Sequence, residues 1–256
     1  MSVPIVCHPL SWYVGKLERG KPFTSLLYGD GEFMVADGQH IGQTLAFGEV
    51  VTEQLSREMR ASLTVVGDDI IRGTDPNLIN YMDYGGRDID SFRPVGKRVN
   101  ALLAKVAPNL DWVDGVMWDV ASREGKLGPL LRVLRKRLTV FVGNVKLLPF
   151  TEEYLGWGTA VPDENAAKWL DGFESMLVQW SGENVHHPVF VLCMGLGAIP
   201  LAMRLRKSVP GCTVLDLGSI FDVFAGIGEQ RGWRAEMYAD PVAWQECIRK
   251  NLEGLT

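Results

Sequence analysis

Short apolar runs alternate with longer amphipathic stretches in the second half of the chain. The runs Leu138–Asn144, "PVFVLCMG" and "TVLDLGS" are apolar at consecutive positions and rich in β-branched residues, which is typical of strands buried on both faces. Between the first two runs, Ala166, Leu170, Phe173 and Leu177 recur at helical spacing. From about residue 138 the pattern therefore predicts an α/β fold, with a Rossmann-like, mainly parallel sheet and helices on both faces.

The first half of the chain is less regular. Helical spacing there predicts helices at Gln43–Ala61, Lys97–Ala107 and Trp112–Glu124, while "FTSLLYGDGEFMVADG" is expected to form two short strands, or one strand and a turn. Further helices are predicted at Leu127–Arg137, after the start signal Pro162–Asp163, and over "AIPLAMRLRKS" and "DPVAWQECIRKNLEGL". We expect a single domain over residues 1–256, in which an irregular N-terminal half precedes a regular one.

Composition excludes several classes of protein. In 256 residues, 46% are hydrophobic and 22% charged, which is ordinary for a globular domain. A net charge of −5 does not favour binding to a polyanion. No apolar run approaches the ~20 residues of a membrane span, and the N-terminus lacks the regions of a secretory signal. The four cysteines form no CxxC pair, so we expect free thiols in a cytosolic protein without a membrane partner.

The ends of the predicted strands are the first places to look for a ligand site, because ligands of parallel sheets bind beyond the carboxyl ends. Asn144 ends one strand, and Asp216 and Gly218 follow another. Gly195 and Gly197 lie between a strand and a helix, where the backbone can approach a diphosphate. A purely structural turn is the alternative, since "GLGAIP" lacks the third glycine of the dinucleotide fingerprint.

A pair of carboxylates, Asp30 and Glu32, lies in "YGDGEF". If the chain is extended there, both side chains point to the same side. Two hard oxygen ligands beside Gly29 and Gly31 would suit Mg²⁺ or Mn²⁺ shared with substrate phosphates. A tight turn with a solvated glutamate is the alternative interpretation.

Four stretches occur in an order that resembles the GT-D-type glycosyltransferases. They are "YGDGEF", "FVGN", "VLCMGLGAIPLAMRLRK" and "VLDLGSIFDVFAG", and together they span Leu26 to Gly226. The resemblance implies a Rossmann-like nucleotide-sugar fold in which Asp30 and Glu32 bind Mn²⁺ or Mg²⁺ and the donor diphosphate. It also implies a set of residues that bind the donor, a nucleotide-diphosphate sugar and specifically a UDP-sugar: Tyr28, Gly29, Gly31, Asn144, Gly195, Gly197, Asp216 and Gly218.

Two departures from the family pattern affect the expected chemistry. Many relatives have Arg-Phe before "GDGE", where this chain has Leu27-Tyr28, so an arginine that could contact phosphate is missing. Many also have a histidine soon after the late Asp-x-Gly, where this chain has Ser219 and then apolar residues. Asp222 is therefore our candidate for the catalytic base, with Glu32 as the second candidate.

The acceptor implied by the resemblance is a hydroxyl group, either of a hydroxymethylated DNA base, as in virus-encoded relatives, or of a glycan or glycoprotein. A virus-encoded member would act in the host cytoplasm. For DNA, Trp157 or Tyr84 could hold an extruded base, whereas the eight tryptophans could stack on a glycan. The acidic net charge favours a glycan and the compact architecture favours DNA. The basic residues that could contact DNA, or else form solvated faces, are Arg132, Arg135, Lys136, Arg137, Arg204, Arg206 and Lys207.

Two other classes of function fit parts of the sequence. A non-catalytic nucleotide-binding Rossmann module would keep the regular half without chemistry. An S-adenosylmethionine-dependent methyltransferase would explain a strand that ends in "LDLG", although "IFDVFAG" follows it and little chain remains to complete such a domain.

Overall fold

One sheet of parallel strands forms the centre of the protein. The computed structural model describes residues 4–45, 48–80, 89–161, 165–184, 187–228 and 232–255. Within these residues the sheet has eight strands in the order β1-β4-β3-β2-β8-β7-β5-β6. Their bounds are Ile5–Val6 (β1), Thr24–Tyr28 (β2), Ile70–Thr74 (β3), Trp112–Asp114 (β4), Thr139–Asn144 (β5), Gly156–Val161 (β6), Val189–Cys193 (β7) and Thr213–Asp216 (β8).

Helices cover both faces of this sheet, as the alternating pattern predicts. One hydrophobic cluster lies under α2, α3, α5, α9 and α10, and a second lies under α1, α6, α7 and α8 on the opposite face. The bounds are Leu10–Glu18 (α1), Asp30–Ala36 (α2), Glu53–Thr64 (α3), Pro76–Asn80 (α4), Ile89–Val106 (α5), Val116–Arg123 (α6), Gly128–Lys136 (α7), Leu148–Tyr154 (α8), Leu170–Asn184 (α9), Ala198–Ser208 (α10), Gly232–Ala239 (α11) and Pro241–Asn251 (α12).

The predicted parallel α/β sheet is confirmed, but the expectation of an irregular N-terminal half is wrong. Strands β1 to β4 belong to the same sheet as β5 to β8, because β2 pairs with β3 on one side and with β8 on the other. In register, Thr24 lies opposite Ile70 and Val214. Strands β1, β3 and β4 escape a search for apolar runs because they are short and far apart along the chain, whereas β2 lies in the stretch where a strand was expected.

Several predicted element bounds are also corrected. Helix α3 begins at Glu53 rather than Gln43, because the Thr52 side chain caps it by accepting a hydrogen bond from the Leu55 amide (3.1 Å). The helix predicted at Trp112–Glu124 is instead strand β4 followed by α6. The start signal Pro162–Asp163 lies outside the described residues.

Two general expectations from composition can be compared with the structure. All four cysteines are free thiols, as expected; Cys212 and Cys247 are buried and Cys7 is exposed. Among the described helices, none combines the length and the apolar character that crossing a bilayer requires.

Candidate functional site

The connections that follow the neighbouring strands β2 and β8 diverge to opposite faces of the sheet. Strand β2 leads into α2, whose Phe33 and Val35 pack in the first cluster. Strand β8 leads into a segment whose Ile220 and Phe221 pack in the second cluster. Such a divergence leaves a crevice outside the carboxyl ends of the strands, where open α/β sheets bind ligands. We call it the β2–β8 crevice.

Asp216 ends β8 at this crevice and is only 3% exposed. Its Oδ2 accepts a hydrogen bond from the Leu27 amide and its Oδ1 accepts one from the Gly218 amide, both at 3.1 Å. Burial, reinforced by the charge of Glu32, raises the pKa of Asp216 to about 8 although both amides favour the ionised form. The structure therefore brings Glu32, a predicted site residue, close enough to Asp216 for its charge to raise the pKa of that carboxyl.

Asp30 and Glu32 lie in the first turn of α2, so the prediction of an extended segment with both side chains on one side is wrong. Side chains two positions apart on a helix are separated by about 200° around its axis. Glu32 Oε2 instead turns back to accept a hydrogen bond from the Gly29 amide (2.9 Å), as in a capping box. Asp30 is exposed, and its Oδ1 accepts from the Gly31 amide (2.9 Å).

The chemistry of these residues fits a divalent cation that is shared with a substrate. Among the described residues, no group of three or more His, Cys, Asp and Glu side chains could hold a metal by itself. Mg²⁺ commonly takes only one or two protein carboxylates and completes its shell with water and phosphate oxygens. Glu32 and Asp216 could supply such a pair, with Asp30 at the exposed rim.

The glycine turn after β7 has a packing role at one of its two glycines. Gly195 is exposed, with a left-handed φ of 58°, and begins the turn that leads into α10. Gly197 is buried, and a Cβ there would lie 2.9 Å from the Cε atom of Met194. This close packing explains why position 197 is a glycine, without any need for a ligand.

A buried carboxylate that the sequence did not reveal lies beside the same turn. Glu49 is 8% exposed and accepts hydrogen bonds from the amides of Ala166 (3.1 Å) and Ala167 (3.4 Å). Burial raises its pKa, and the two amides partly oppose the shift. A Cβ on Gly195 would lie 3.8 Å from its Oε1 atom. A diphosphate held at this turn would therefore have to lie close to a carboxylate.

Asp222, the predicted base, lies close to the same group of strand ends. Burial, followed by the charges of Asp222 and Asp216, raises the pKa of the Cys193 thiol at the end of β7 well above its usual range. The loop after β8 thus places Asp222 within electrostatic reach of the crevice.

Arg234 on α11 is a partner of Asp222, and no sequence pattern marks this pair. Its side chain is fully buried, and its Nη1 donates to Asp222 Oδ2 at 2.9 Å. Its Nη2 donates to the Ser219 carbonyl at 2.6 Å and lies 3.5 Å from Asp119 Oδ1 on α6. This arginine ties the segment after β8 to two helices.

Solved structures of domain of unknown function 1792 share this arrangement of elements. One, described as having a distinct glycosyltransferase fold, matches with a TM-score of 0.62 and 15% identity, covering 84% of this chain and 79% of that one. The chain has this glycosyltransferase fold.

Two further structures support the same conclusion. A selenomethionine-substituted structure of domain of unknown function 1792 has a TM-score of 0.64 and 14% identity, covering 84% of this chain and 79% of that one. A protein described as a new glycosyltransferase (DUF1792) from Streptococcus sanguinis has a TM-score of 0.59 and 14% identity, and the match covers 85% of this chain and 82% of that one. No protein-family model matches the sequence, and no curated protein matches it either.

Two other predicted donor residues have structural roles within the glycosyltransferase fold. The Tyr28 ring is fully buried and its hydroxyl hydrogen-bonds to Ser62 Oγ (2.8 Å), while the binding of a donor at this residue stays a prediction. Burial raises its pKa to about 12. Asn144 Oδ1 accepts from the Lys146 amide (2.9 Å) at the end of β5, which lies two strands away from β8.

The arginines at α7 bind main-chain carbonyls of the protein itself. The carbonyl partners are Glu253 for Arg132 (3.0 Å), Leu255 for Arg135 (2.7 Å) and Leu17 for Arg137 (2.9 Å). Lys136 is exposed. Contact of these residues with DNA stays a prediction, while the hydrogen bonds give the arginines a structural role.

The second basic stretch, on α10, is mainly engaged in ion pairs. Arg204 donates to Glu58 (2.6 Å) and Asp171 (2.5 Å), and Arg206 donates to Asp69 (2.9 Å). Lys207 is exposed. Of the aromatic residues proposed to hold a base, Trp157 stacks on Trp180 at edge strand β6, with centroids 5.6 Å apart. Tyr84 lies outside the described residues.

Proposed function

We propose that the chain is a metal-dependent glycosyltransferase that moves a sugar from a nucleotide-diphosphate sugar, a UDP-sugar, to a hydroxyl acceptor. The observation that carries the proposal is the pair Glu32 and Asp216 at the β2–β8 crevice of a glycosyltransferase fold. A buried carboxylate beside a second carboxylate is unfavourable unless a cation or a proton compensates it. A divalent cation would compensate the charge of the two carboxylates and would also bind the negatively charged diphosphate of the donor.

Glu32 and Asp216 would hold Mn²⁺ or Mg²⁺, and Asp30 would stand at the side open to the donor. When bound, the cation would stabilise the negative charge that develops on the leaving diphosphate. Glu32 is positioned for this role by its own backbone contact with Gly29, and Asp216 by its contacts with Leu27 and Gly218.

A base must take the proton of the acceptor hydroxyl as the new glycosidic bond forms. For this role we keep Asp222, whose orientation is fixed by Arg234 at 2.9 Å, with Glu32 as the second candidate. The acceptor belongs to a glycan, a glycoprotein or a hydroxymethylated base in DNA. These choices make different demands on the surface around the crevice.

Thermal stability with UDP-sugars, measured with and without Mn²⁺, tests the proposal. A ligand that binds only the folded state stabilises it by ~2.7 kcal/mol at a hundredfold excess over its dissociation constant. We expect a Mn²⁺-dependent rise in Tm for the wild type. We expect it to be lost in Glu32→Gln, which keeps the acceptor for the Gly29 amide but removes the charge, and in Asp216→Asn.

Asp37→Asn is the matched control, because Asp37 is an exposed aspartate at the other end of α2. It should behave as the wild type, while Asp30→Asn should weaken the shift. A Tm shift that persists fully in both Glu32→Gln and Asp30→Asn would refute the metal assignment. Stabilisation by S-adenosylmethionine without metal would indicate a methyltransferase, and donor binding without hydrolysis or transfer would indicate a non-catalytic module.

A further inference from the structure

A groove with a volume of about 600 Å³ lies between the end of α6 and the α11–α12 pair. We call it the α6–α12 groove. Its size falls within the range of roughly 300–1,000 Å³ that is usual for small-molecule sites. It lies outside the carboxylate pair of the β2–β8 crevice, and none of the predicted site residues lines it.

Trp233 is the large aromatic side chain of this groove, and its orientation is fixed from two directions. Its indole Nε1 donates to Asp119 Oδ2 at 2.9 Å. The guanidinium of Arg234 lies over the ring, with its central carbon 5.1 Å from the ring centroid. A flat apolar surface that is already immobilised loses little conformational entropy when a ligand packs on it. The ring is therefore a preorganised platform.

Charged residues around the platform are mostly acidic. The groove is lined by the carboxylates of Glu124, Glu236, Asp240 and Glu246 and by the cations of Arg123 and Lys250. Glu246 pairs with Arg249 (2.7 Å), and Asp240 caps α12 by accepting from the Val242 amide (3.0 Å).

Glu236 differs from the other carboxylates of the groove, because among the described residues it has no hydrogen-bond or ion-pair partner. Carboxylate oxygens accept hydrogen bonds from hydroxyl groups. An excess of negative charge repels a polyanion such as DNA. The combination of an aromatic platform with hydrogen-bond acceptors and no excess of cations suits a neutral ligand rich in hydroxyl groups, which is a saccharide.

The groove is also connected to the crevice through the protein. Arg234, the residue after Trp233, reaches Asp119 behind the platform and also holds Asp222 and Ser219 in the segment after β8. A ligand on Trp233 would therefore lie against the network that orients the candidate base.

We propose that the α6–α12 groove binds the saccharide part of the acceptor, with Trp233 as its stacking platform and Glu236 as a hydroxyl acceptor. This inference rests on the proposed function and extends it, because it assigns the acceptor to the glycans rather than to DNA bases.

Binding to an array of neutral and acidic glycans, and to a duplex that contains hydroxymethylcytosine, tests the inference. We expect the wild type to bind at least one neutral glycan. Trp233→Ala should weaken that binding about tenfold, the equivalent of one lost aromatic contact, and Glu236→Ala should weaken it several-fold. Trp169→Ala is the matched control, because Trp169 is 51% exposed and lies outside the groove, and it should bind as the wild type does.

Each outcome has a defined meaning. Unchanged glycan binding by folded Trp233→Ala, binding of no glycan by the wild type, or preferential binding of the duplex would overturn the inference. If Trp233→Ala does not fold, glycan binding by Trp233→Phe and Glu236→Ala tests the inference instead. Both should fold, since the former keeps an aromatic ring and the latter alters an exposed side chain. The Mn²⁺-dependent Tm shift with UDP-sugars should survive in all folded variants. Its absence from the wild type would count against the proposed function, irrespective of the array.

Discussion

Asp216 and Asp222 lie close together along the chain and near the same strand ends, but the protein surrounds them very differently. Asp216 is buried beside a second carboxylate, Glu32, and only main-chain amides donate to it in the described contacts. Asp222 faces the guanidinium of a fully buried arginine, Arg234. The protein therefore pairs Asp222 with a cation at the wall of the site, whereas Asp216 in the crevice meets main-chain amides and the charge of a second carboxylate.

This contrast distinguishes two uses of a carboxylate, a half-buried one and a buried one. The pair Asp222–Arg234 joins a loop to α11, so it should contribute to stability as well as orient the candidate base. The pair Glu32–Asp216 opposes stability, because burial and like charge both disfavour the ionised form. A feature that costs stability and lies in a crevice at the carboxyl ends of parallel strands is expected to serve function instead.

Arg234→Met should have the largest effect, because it leaves Asp222 and Asp119 without their shared cation. Breaking a buried ion pair by removing one partner typically costs ~3–5 kcal/mol. We expect a loss of that size in the free energy of unfolding, measured by urea denaturation. The double variant with Asp222→Asn should recover part of it. Arg249→Met, which breaks an ion pair with Glu246 at the surface, should produce no measurable change; an equal loss there would refute the argument.

Asp216 should give the protein an unusual dependence of stability on pH. Its pKa is about 8 in the folded state and about 3.9 in an unfolded chain. Between these values the folded state retains a proton that the unfolded state releases, so the free energy of unfolding falls as pH rises. The contribution of this one group has a limiting slope of about 1.4 kcal/mol per pH unit.

Urea denaturation between pH 5 and 7 without divalent cations, in wild type and Asp216→Asn, measures this slope. The free energy of unfolding of the variant should depend less steeply on pH, whatever its absolute value. Glu49 and Asp114, whose pKa values are also raised by burial, remain in both proteins and so do not account for a difference between the slopes. Equal slopes in the two proteins would show that Asp216 titrates normally in the fold.

The smallest expected effect separates the two roles of Glu32. Glu32→Ala loses the hydrogen bond to the Gly29 amide, whereas Glu32→Gln keeps an acceptor there and removes the repulsion from Asp216. We expect Gln to be at least as stable as the wild type and Ala to be about 1 kcal/mol less stable than Gln. Thermal or urea denaturation checks the order. If Ala matches Gln, the contact with Gly29 contributes nothing to α2.

The sequence predicted the second half of the fold better than the first. The runs that became β5, β7 and β8 are buried on both faces and therefore apolar throughout. Strand β4, "WVD", is too short to show any periodicity and lies in a stretch with helical spacing. Strand β6 was missed because "GWGTAV" lies at the edge of the sheet and most of its residues are exposed or half-buried, so it lacks an apolar pattern.

Individual residues of the candidate site could be selected from the sequence, but their arrangement in space could not. Asp30, Glu32 and Asp216 could be selected because strand ends and paired carboxylates are visible in a sequence. The start of α2 was hidden because its N-cap is a glycine with no side-chain acceptor, and "GDG" is also typical of a turn. Glu49 and Arg234 could not be found, since no local spacing marks the contacts of Glu49 with Ala166 and Ala167 or those of Arg234 with Asp222 and Asp119.

The position of β8 has a consequence for how the protein is made. It is the last of the described strands along the chain, yet it lies between β2 and β7 and joins the four early strands to the other three. The hydrogen bond from Leu27 to Asp216 spans 189 positions, so this junction is among the most distant contacts that a folding chain must close. During synthesis, the crevice can form only after β8 has left the ribosome. An unfinished chain would contain the "GDGE" segment without its buried aspartate, so the candidate site would be incomplete until synthesis is nearly finished.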